Sequence, residues 1–515
     1  GSVTIKVLIG IEKIGPGERM DLKLRLPLNR RLEYFAQGAS LPILFRGDFM
    51  RMTALFVAPL LFFYLASCSV DSSDAPDSRG SLSNDVQPPV GIDAARNLPT
   101  DNKVAFFMGQ DSTTLAEFES SVLANEEQSD FPMPSGVTLY LGFLPTDAHP
   151  NTAPEDATVY VGGIEGPPYD NSAGEVNFQA TLAAYDARNG GEPVALAVGM
   201  HLSDSWNNCI NQPLRAINDT GDADVGSASD PESTAFQWRY AIDRMIKWFD
   251  EQDRPVFLRI GYEFDGPWNC HNRQLYIGAF RYIKQRINDL GADGVATVWQ
   301  AATYPNDGDP QYHFDASGGP DVVDRAQAIQ DHYTDWYPGS EYVDWVGISF
   351  FAGTQYKEYQ WSCQDESRPW TVAHVSPRML QDGLAEFARK YGKPLMIAES
   401  APQGMNVSKS TWSCVARRDD HLAGHGFADG AAMWNAFYED YFAWIEENQD
   451  VVRSFAYINT NWQSQPRWAC APESDACPAG YWGDHRIQAN DDLLERFKSK
   501  VEEELYRVTG FSTPL

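Results

Sequence analysis

The sequence is short of basic residues: 40 Lys and Arg stand against 71 Asp and Glu, a formal charge of -31. Such a chain repels phosphate backbones and anionic lipid headgroups, which excludes general nucleic-acid binding and fits a surface that stays soluble in salty surroundings. Long apolar runs are also scarce, and the one that stands out, "ALFVAPLLFFYLA", is about 13 residues long, too short for a comfortable membrane span. No Gly-rich dinucleotide fingerprint follows the first strand-like run, where "MGQDST" stands instead. No G-x-S-x-G elbow occurs among the strand-like segments, which removes an α/β-hydrolase esterase. His201 has no second histidine at metal spacing and the cysteines show no zinc-type spacing, so no metal and no cofactor are expected. No repeat appears at solenoid periods.

What is present begins with an address. Arg46 and Arg51 precede the apolar run, giving the charged flank and short core of an export signal. The run ends in Leu65-Ala66-Ser67-Cys68, which resembles the lipobox of bacterial lipoproteins. That resemblance implies a lipidated Cys68 as first residue of the mature protein; an ordinary secretory signal with an incidental cysteine is the alternative. Residues 1–49 then lie upstream of a start near Met50 or Met52, with Gly1-Ser2 resembling a cloning scar, and 50–67 form the signal. Residues 69–100 are rich in Ser, Asp and Pro without hydrophobic periodicity, so 68–100 reads as a flexible tether and 101–515 as the folded body. An extracytoplasmic lipoprotein at the outer membrane or cell surface is expected, touching the membrane only through its lipid. With Cys68 set aside, six cysteines remain (Cys209, Cys270, Cys363, Cys414, Cys470, Cys477), compatible with three disulfides in an oxidising compartment. Six cysteines allow fifteen connectivities, with Cys470 and Cys477 the favoured local pair.

Within the body, short apolar runs alternate with amphipathic stretches, the pattern of βα units around a parallel sheet. Eight strands are read at 103–109, 136–143, 193–200, 255–262, 295–302, 343–351, 394–400 and 454–462. Helices are expected at 112–124, 177–187, 234–252, 274–289, 377–391, 433–448 and 491–506, with a weak one at 322–333. One α/β domain, a (β/α)8 TIM barrel with long disulfide-tied βα loops, explains this best; a doubly wound open sheet is the alternative. Catalytic residues of such a barrel sit where strands end on the face built by the βα loops. Those ends are Gln110 and Asp111, His201, Glu263, Gln300, Phe351, Glu399 and Trp462.

Two of these ends, on strands four and seven, are glutamates. A carboxyl kept protonated and another kept ionised suit glycoside hydrolysis, provided burial raises one pKa while hydrogen bonds and a nearby cation lower the other. Arg259 shares strand parity with Glu263, so it is placed to hold a carboxylate in its charged form from below. Asp265 shares that parity but lies past the strand end, and takes a substrate or hydrogen-bonding role. Trp206, Trp268, Trp361, Trp370, Trp412, Trp462, Trp468 and Trp482 fall at or after strand ends, where aromatic faces can stack on sugar rings.

These residues carry a resemblance. "RIGYEFDGPW" at 259–268, "YPGSEYVDWVGISFF" at 337–351, "GKPLMIAESA" at 392–401 and "VGMHLSDSW" at 198–206, in that order, resemble the clan A glycoside hydrolases, family 26 most of all, over about residues 101–506. The resemblance implies Glu263 as acid/base, Glu399 as nucleophile and net retention through a glycosyl-enzyme. It implies substrate contacts from His201, Trp206, Arg259, Tyr262, Asp265, Trp268, Gln300 and Trp462. Three positions depart from the family: Tyr262 stands where it has His, Asp265 where it has Asn, and "SFF" at 349–351 lacks a tyrosine that clan members often carry near the nucleophile. These bear on subfamily and substrate rather than on mechanism.

The expectation is a retaining endo-glycosidase, monomeric, cutting a β-linked mannan- or xylan-like polysaccharide. Two alternatives stand. A marine galactan substrate would call on local basic residues (Arg417, Arg418, Arg467, Arg486), and a carbohydrate-binding lipoprotein would have no need of both glutamates.

Overall fold

In the computed structural model the described residues are Ile92 and 95–512, apart from 126–129, 146–156, 167, 171–172, 206–207, 305–324, 352–375, 413–425, 471–476 and 478–479. Eight strands close into a parallel barrel. They are β1 (Ala105–Gly109), β2 (Gly136–Leu141), β3 (Ala195–Met200), β4 (Val256–Ile260), β5 (Val295–Ala301), β6 (Trp345–Phe350), β7 (Leu395–Ser400) and β8 (Val452–Ile458). Each pairs with its neighbours in sequence, and β8 closes on β1 from Ala105–Ser454 to Gly109–Ile458. The connecting helices are α1 (Ser112–Phe118), α2 (Phe178–Arg188), α3 (Gln212–Asn218), α4 (Thr234–Asp250), α5 (Arg273–Asp289), α6 (Arg325–Trp336), α7 (Pro377–Tyr391), α8 (Gly430–Met433), α9 (Glu439–Glu447) and α10 (Asp491–Val501).

The strands form where the apolar runs are because both their faces are covered. Outward side chains such as Leu196, Leu258 and Ile397 join the helices in one core, while Ala105, Phe107, Ala197, Phe257, Val298, Trp345, Met396 and Ala398 fill the barrel. The alanines leave room for large rings. Phe257 meets Phe107 edge-on at 5.4 Å and Trp345 at 5.1 Å. Truncating a ring of this kind costs about 3–5 kcal/mol. Helix starts follow the local chemistry: Asn177, Ser233, Asn272 and Ser376 each accept a first-turn N–H at α2, α4, α5 and α7.

Several sequence boundaries shift. Residues 95–100, read as tether, are part of the barrel floor: Asn97 Nδ2 donates to the carbonyls of Val256 and Gly294 at 3.1 and 2.8 Å, and Arg96 O accepts from the Trp345 indole at 2.7 Å. β8 stops at Ile458 rather than at residue 462, and Trp462 opens a 3-10 turn beyond it. α3 was not anticipated, and the helix expected at 112–124 passes into a π turn over Glu119–Leu123. The weak helix at 322–333 is found as α6. Cys470 pairs with Cys477, and Cys209 pairs with Cys270, tying the loop after β3 to the loop after β4. Cys68, Cys363 and Cys414 lie outside the described residues.

Candidate active site

Glu399 faces the barrel because β7 is irregular. Met396 and Ala398 point inward, so strict alternation would send Glu399 outward. Instead Ile348 of β6 pairs with Ile397 and Ser349 with Glu399, skipping Ala398. This bulge reverses the parity. Ser400 accordingly turns to the helix layer, where its hydroxyl lies 2.9 Å from that of Tyr441 in α9.

Inside, Glu399 meets Arg259. Nη1 donates to Glu399 Oε1 at 2.6 Å and to Ala398 O and Gln300 Oε1 at 3.3 Å each, while Nη2 donates to Thr138 Oγ1 at 3.0 Å. The guanidinium lies 4.7 Å from the Tyr140 ring centre. Gly199 makes the space: a Cβ there would stand 2.4 Å from Tyr140 Cδ1 and 2.9 Å from Arg259 Nη2.

Glu263 is set by the turn leaving β4. Gly261 and Glu263 both take left-handed backbone, φ 50° and 53°. For a side chain with a Cβ that conformation costs about 1–3 kcal/mol unless its surroundings hold it. Here Asn269 Nδ2 donates to the carbonyls of Tyr262 and Glu263 at 2.8 and 3.0 Å. Glu263 Oε1 accepts from Ser349 Oγ at 2.8 Å, and Oε2 accepts from the Trp268 indole at 2.7 Å. Burial, and then the charge of Glu399, push the Glu263 carboxyl well above the usual carboxylate range, against the pull of the Ser349 and Trp268 bonds. Glu399 has a buried cation in direct contact, whereas among the described residues none contacts Glu263, so the two carboxyl groups sit in different environments.

The two glutamates therefore share one pocket with Arg259, but other expected contacts are placed differently. Arg259 is fully buried and bound to Glu399, so it is neither a substrate ligand nor the direct support of Glu263. Gln300 is fully buried too, bridging Arg259 to Ser349 with Nε2 donating to Ser349 Oγ at 3.0 Å. Asp265 turns away from the mouth: Oδ1 accepts from Ala302 N at 2.7 Å and Oδ2 lies 3.1 Å from His332 Nε2. Its charge is used to pin loops. Trp462 is 3% exposed, its indole donating to His485 Nδ1 at 2.7 Å and its ring packed 4.7 Å from Trp482 and 5.2 Å from Trp468. It braces a wall rather than offering an open platform.

Trp268 does offer one, at 41% exposed with Tyr304 at 5.7 Å. His201 and Tyr262 lie side by side with ring centres 6.3 Å apart. Burial, then the positive charge of Arg467, lower the His201 pKa to about 4, so its imidazole is neutral. Trp206, Trp361, Trp370, Arg417 and Arg418 lie outside the described residues. Arg486 is committed to Asp484 and Glu117.

Thr138, Tyr140, Ser349 and Asn269 were not anticipated. The first three were legible from strand parity, since 138 and 140 alternate with Val137, Leu139 and Leu141 on β2, just as Arg259 alternates on β4. Asn269 acts through the main chain and leaves no such pattern.

No protein-family model matches the chain. It is 28% identical over 409 residues to β-1,3-xylanase TXYA of Vibrio sp, covering 79% of this chain and 66% of that protein. It is 32% identical over 267 residues to a β-1,3-xylanase of Alcaligenes sp, covering 52% of this chain and 46% of that protein. The chain thus spans just under two thirds of one curated relative and about half of the other. Among solved structures, a Cellulomonas fimi endo-β-1,4-mannanase double mutant matches with TM-score 0.43 and 14% identity over 82% of this chain and 78% of that one. A family-26 β-mannanase from Bacteroides ovatus matches with TM-score 0.41 and 12% identity over 79% and 94%. The xylanase side of the resemblance read from the sequence agrees with the curated relatives, both β-1,3-xylanases.

Proposed function

We propose that the protein is a retaining endo-glycoside hydrolase acting on a β-linked xylan, with β-1,3-linked xylose the first substrate to test. The observation that carries the reading is the pair itself: Glu399 is bound by Arg259 at 2.6 Å, while Glu263, with no cation in contact among the described residues, has its carboxyl raised by burial. In this reading Glu399 attacks the anomeric carbon as Glu263 protonates the departing glycosidic oxygen, giving a glycosyl ester. Glu263, now a carboxylate, takes a proton from water as that water attacks the same carbon and frees Glu399. Xylan is favoured over mannan because both curated relatives are called β-1,3-xylanases.

A sulfated galactan is less well supported. Of its candidate arginines among the described residues, Arg486 is already paired and Arg467 stands exposed, 5.7 Å from the Trp468 ring centre. Export by a lipoprotein signal over 50–67, ahead of Cys68, belongs to the same proposal, and the two disulfides among the described residues support an oxidising compartment.

The purified protein should release reducing ends from β-1,3-xylan in preference to β-1,4-xylan, β-mannan, carrageenan and agar. Glu263→Ala and Glu399→Ala should each lose at least about a hundredfold in kcat. Azide should trap a glycosyl azide with the Glu263 variant in the retained configuration and with the Glu399 variant in the inverted one. Binding without cleavage in the unsubstituted protein would leave the carbohydrate-binding alternative.

A further inference from the structure

The two carboxylates are joined by a line of buried polar side chains that has a direction. From Arg259 Nη1 it runs to Gln300 Oε1 at 3.3 Å, from Gln300 Nε2 to Ser349 Oγ at 3.0 Å, and from Ser349 Oγ to Glu263 Oε1 at 2.8 Å. We propose that Gln300 and Ser349 are positioning residues that reserve Glu263 Oε1 as an acceptor, so that the acid proton is carried on Oε2, beside Trp268. The inference rests on Glu263 being the acid, as proposed above.

The direction follows from what each group can do. A guanidinium only donates, so the Gln300 atom facing Nη1 must be the carbonyl oxygen. The amide nitrogen is thereby turned to Ser349, and an NH2 group also only donates. Ser349 Oγ therefore accepts there, and its own hydrogen, for which the described residues offer no other acceptor, goes to Glu263 Oε1. Nothing in this line is free to turn over. Arg259 and Gln300 are fully buried and Ser349 is 2% exposed, so no bulk water is available to rearrange the donors. Both main chains are tied as well: Phe264 N donates to Gln300 O at 3.1 Å, and Thr303 Oγ1 donates to Ser349 O.

Oε2 is different. Its donor, the indole of Trp268, belongs to a side chain 41% exposed, and the bond leaves a second lone pair on Oε2. Oε1 is held by a side chain of the closed interior, whereas Oε2 is held by one open to solvent. In the first step the Oε2–H bond breaks and its proton joins the glycosidic oxygen, which keeps the electron pair of the broken C–O bond. In the second, Oε2 takes a proton from the attacking water while Ser349 keeps Oε1 occupied. Of the other charged groups acting on Glu263, Glu399 from β7 stands at the far end of this line, beyond Arg259, and Asp265 comes from Glu263's own loop.

Two measurements test the assignment. Neutron diffraction from deuterated crystals, at a pH where Glu263 is protonated, should place deuterium on Oε2 and point the Ser349 hydroxyl deuterium at Oε1. Deuterium on Oε1, or a Ser349 hydroxyl turned to Gln300, overturns the proposal even if the substrate turns out not to be xylan. For kinetics, Ser349→Ala and Ser349→Thr are compared on xylosides with leaving groups of graded pKa. The alanine variant should lose about tenfold or more in kcat/KM for the poorest leaving groups and little for a dinitrophenyl group, because only the former need the acid. The threonine variant should recover it. A loss equal across all leaving groups marks general loosening and also overturns it. Failure of the unsubstituted enzyme on every glycoside would instead sink the proposed function, leaving the neutron result to decide proton placement by itself.

Discussion

Arg259 on β4 lies four positions before Glu263, which sits in the turn beyond that strand, yet its guanidinium is bound to Glu399 on β7, Nη1 to Oε1 at 2.6 Å. Both side chains are buried, Arg259 wholly and Glu399 to 5% exposure. A charge pair this deep repays its desolvation better the more of its remaining donors are met, and Thr138, Gln300 and Ala398 O meet those of Nη1 and Nη2, while Nε has no partner among the described residues. The cation thereby distinguishes two glutamates that are chemically identical.

Arg259→Met should consequently harm the fold as well as the reaction. It leaves a buried carboxylate without its cation, a loss of about 3–5 kcal/mol. Urea denaturation followed by tryptophan fluorescence would measure it, and an unchanged midpoint would show that the pair contributes no net stability. Arg259→Lys keeps a charge but not the fork that reaches both Glu399 and Thr138, so part of the loss should remain.

The raised carboxyl of Glu263 sets the sign of the pH response. If it must be protonated in the free enzyme, kcat/KM falls as pH rises through its pKa, giving a basic limb well above the ordinary carboxylate range. The Trp268 indole bond favours the ionised form, so Trp268→Phe should move that limb to still higher pH. For stability the folded value exceeds the unfolded one. The contribution is therefore complete below the unfolded pKa and is lost as pH rises through the folded value. Glu263→Gln removes this dependence, and parallel slopes of stability against pH in the two proteins would contradict it.

The barrel was legible because its strands, buried on both faces, read as apolar runs, and the glutamate pair was legible because two such runs are followed or closed by glutamate. Partners were less so. Strand parity indicated a cation beneath a carboxylate without saying which one, since that depends on how strands four and seven face each other across the barrel. Parity failed outright at Glu399, where the bulge after Ile397 turns the side chain inward. Asp265 looked like a site residue by parity, but its acceptors are taken by Ala302 N and His332, partners remote in sequence. Trp462 is buried by Trp468 and Trp482 for the same reason.

Gly199→Ala probes the room that Arg259 needs. Its Cβ would fall 2.4 Å from Tyr140 Cδ1 and 2.9 Å from Arg259 Nη2, inside contact distance of two side chains packed against each other. Overpacking of this kind costs about 1–3 kcal/mol. Because the displaced groups hold Glu399, the activity loss should exceed what the drop in melting temperature alone would produce at 25 °C. A variant as active as its parent would show that Tyr140 and Arg259 have slack to move.

The disulfide between Cys209 and Cys270 links the loop after β3, which carries His201, to the loop after β4, which carries Trp268 two residues before Cys270. It closes a sequence separation of 61, for which chain-entropy reasoning gives about 4 kcal/mol of stabilisation. Replacing both cysteines with serine should lower the unfolding midpoint accordingly. It should also act on binding more than on chemistry, because Glu263 keeps its Asn269 and Ser349 bonds while the exposed Trp268 loses its anchor. KM for long substrates should rise several-fold with kcat changed little. Should kcat fall and KM stay fixed, the disulfide would be holding the glutamates rather than the platform.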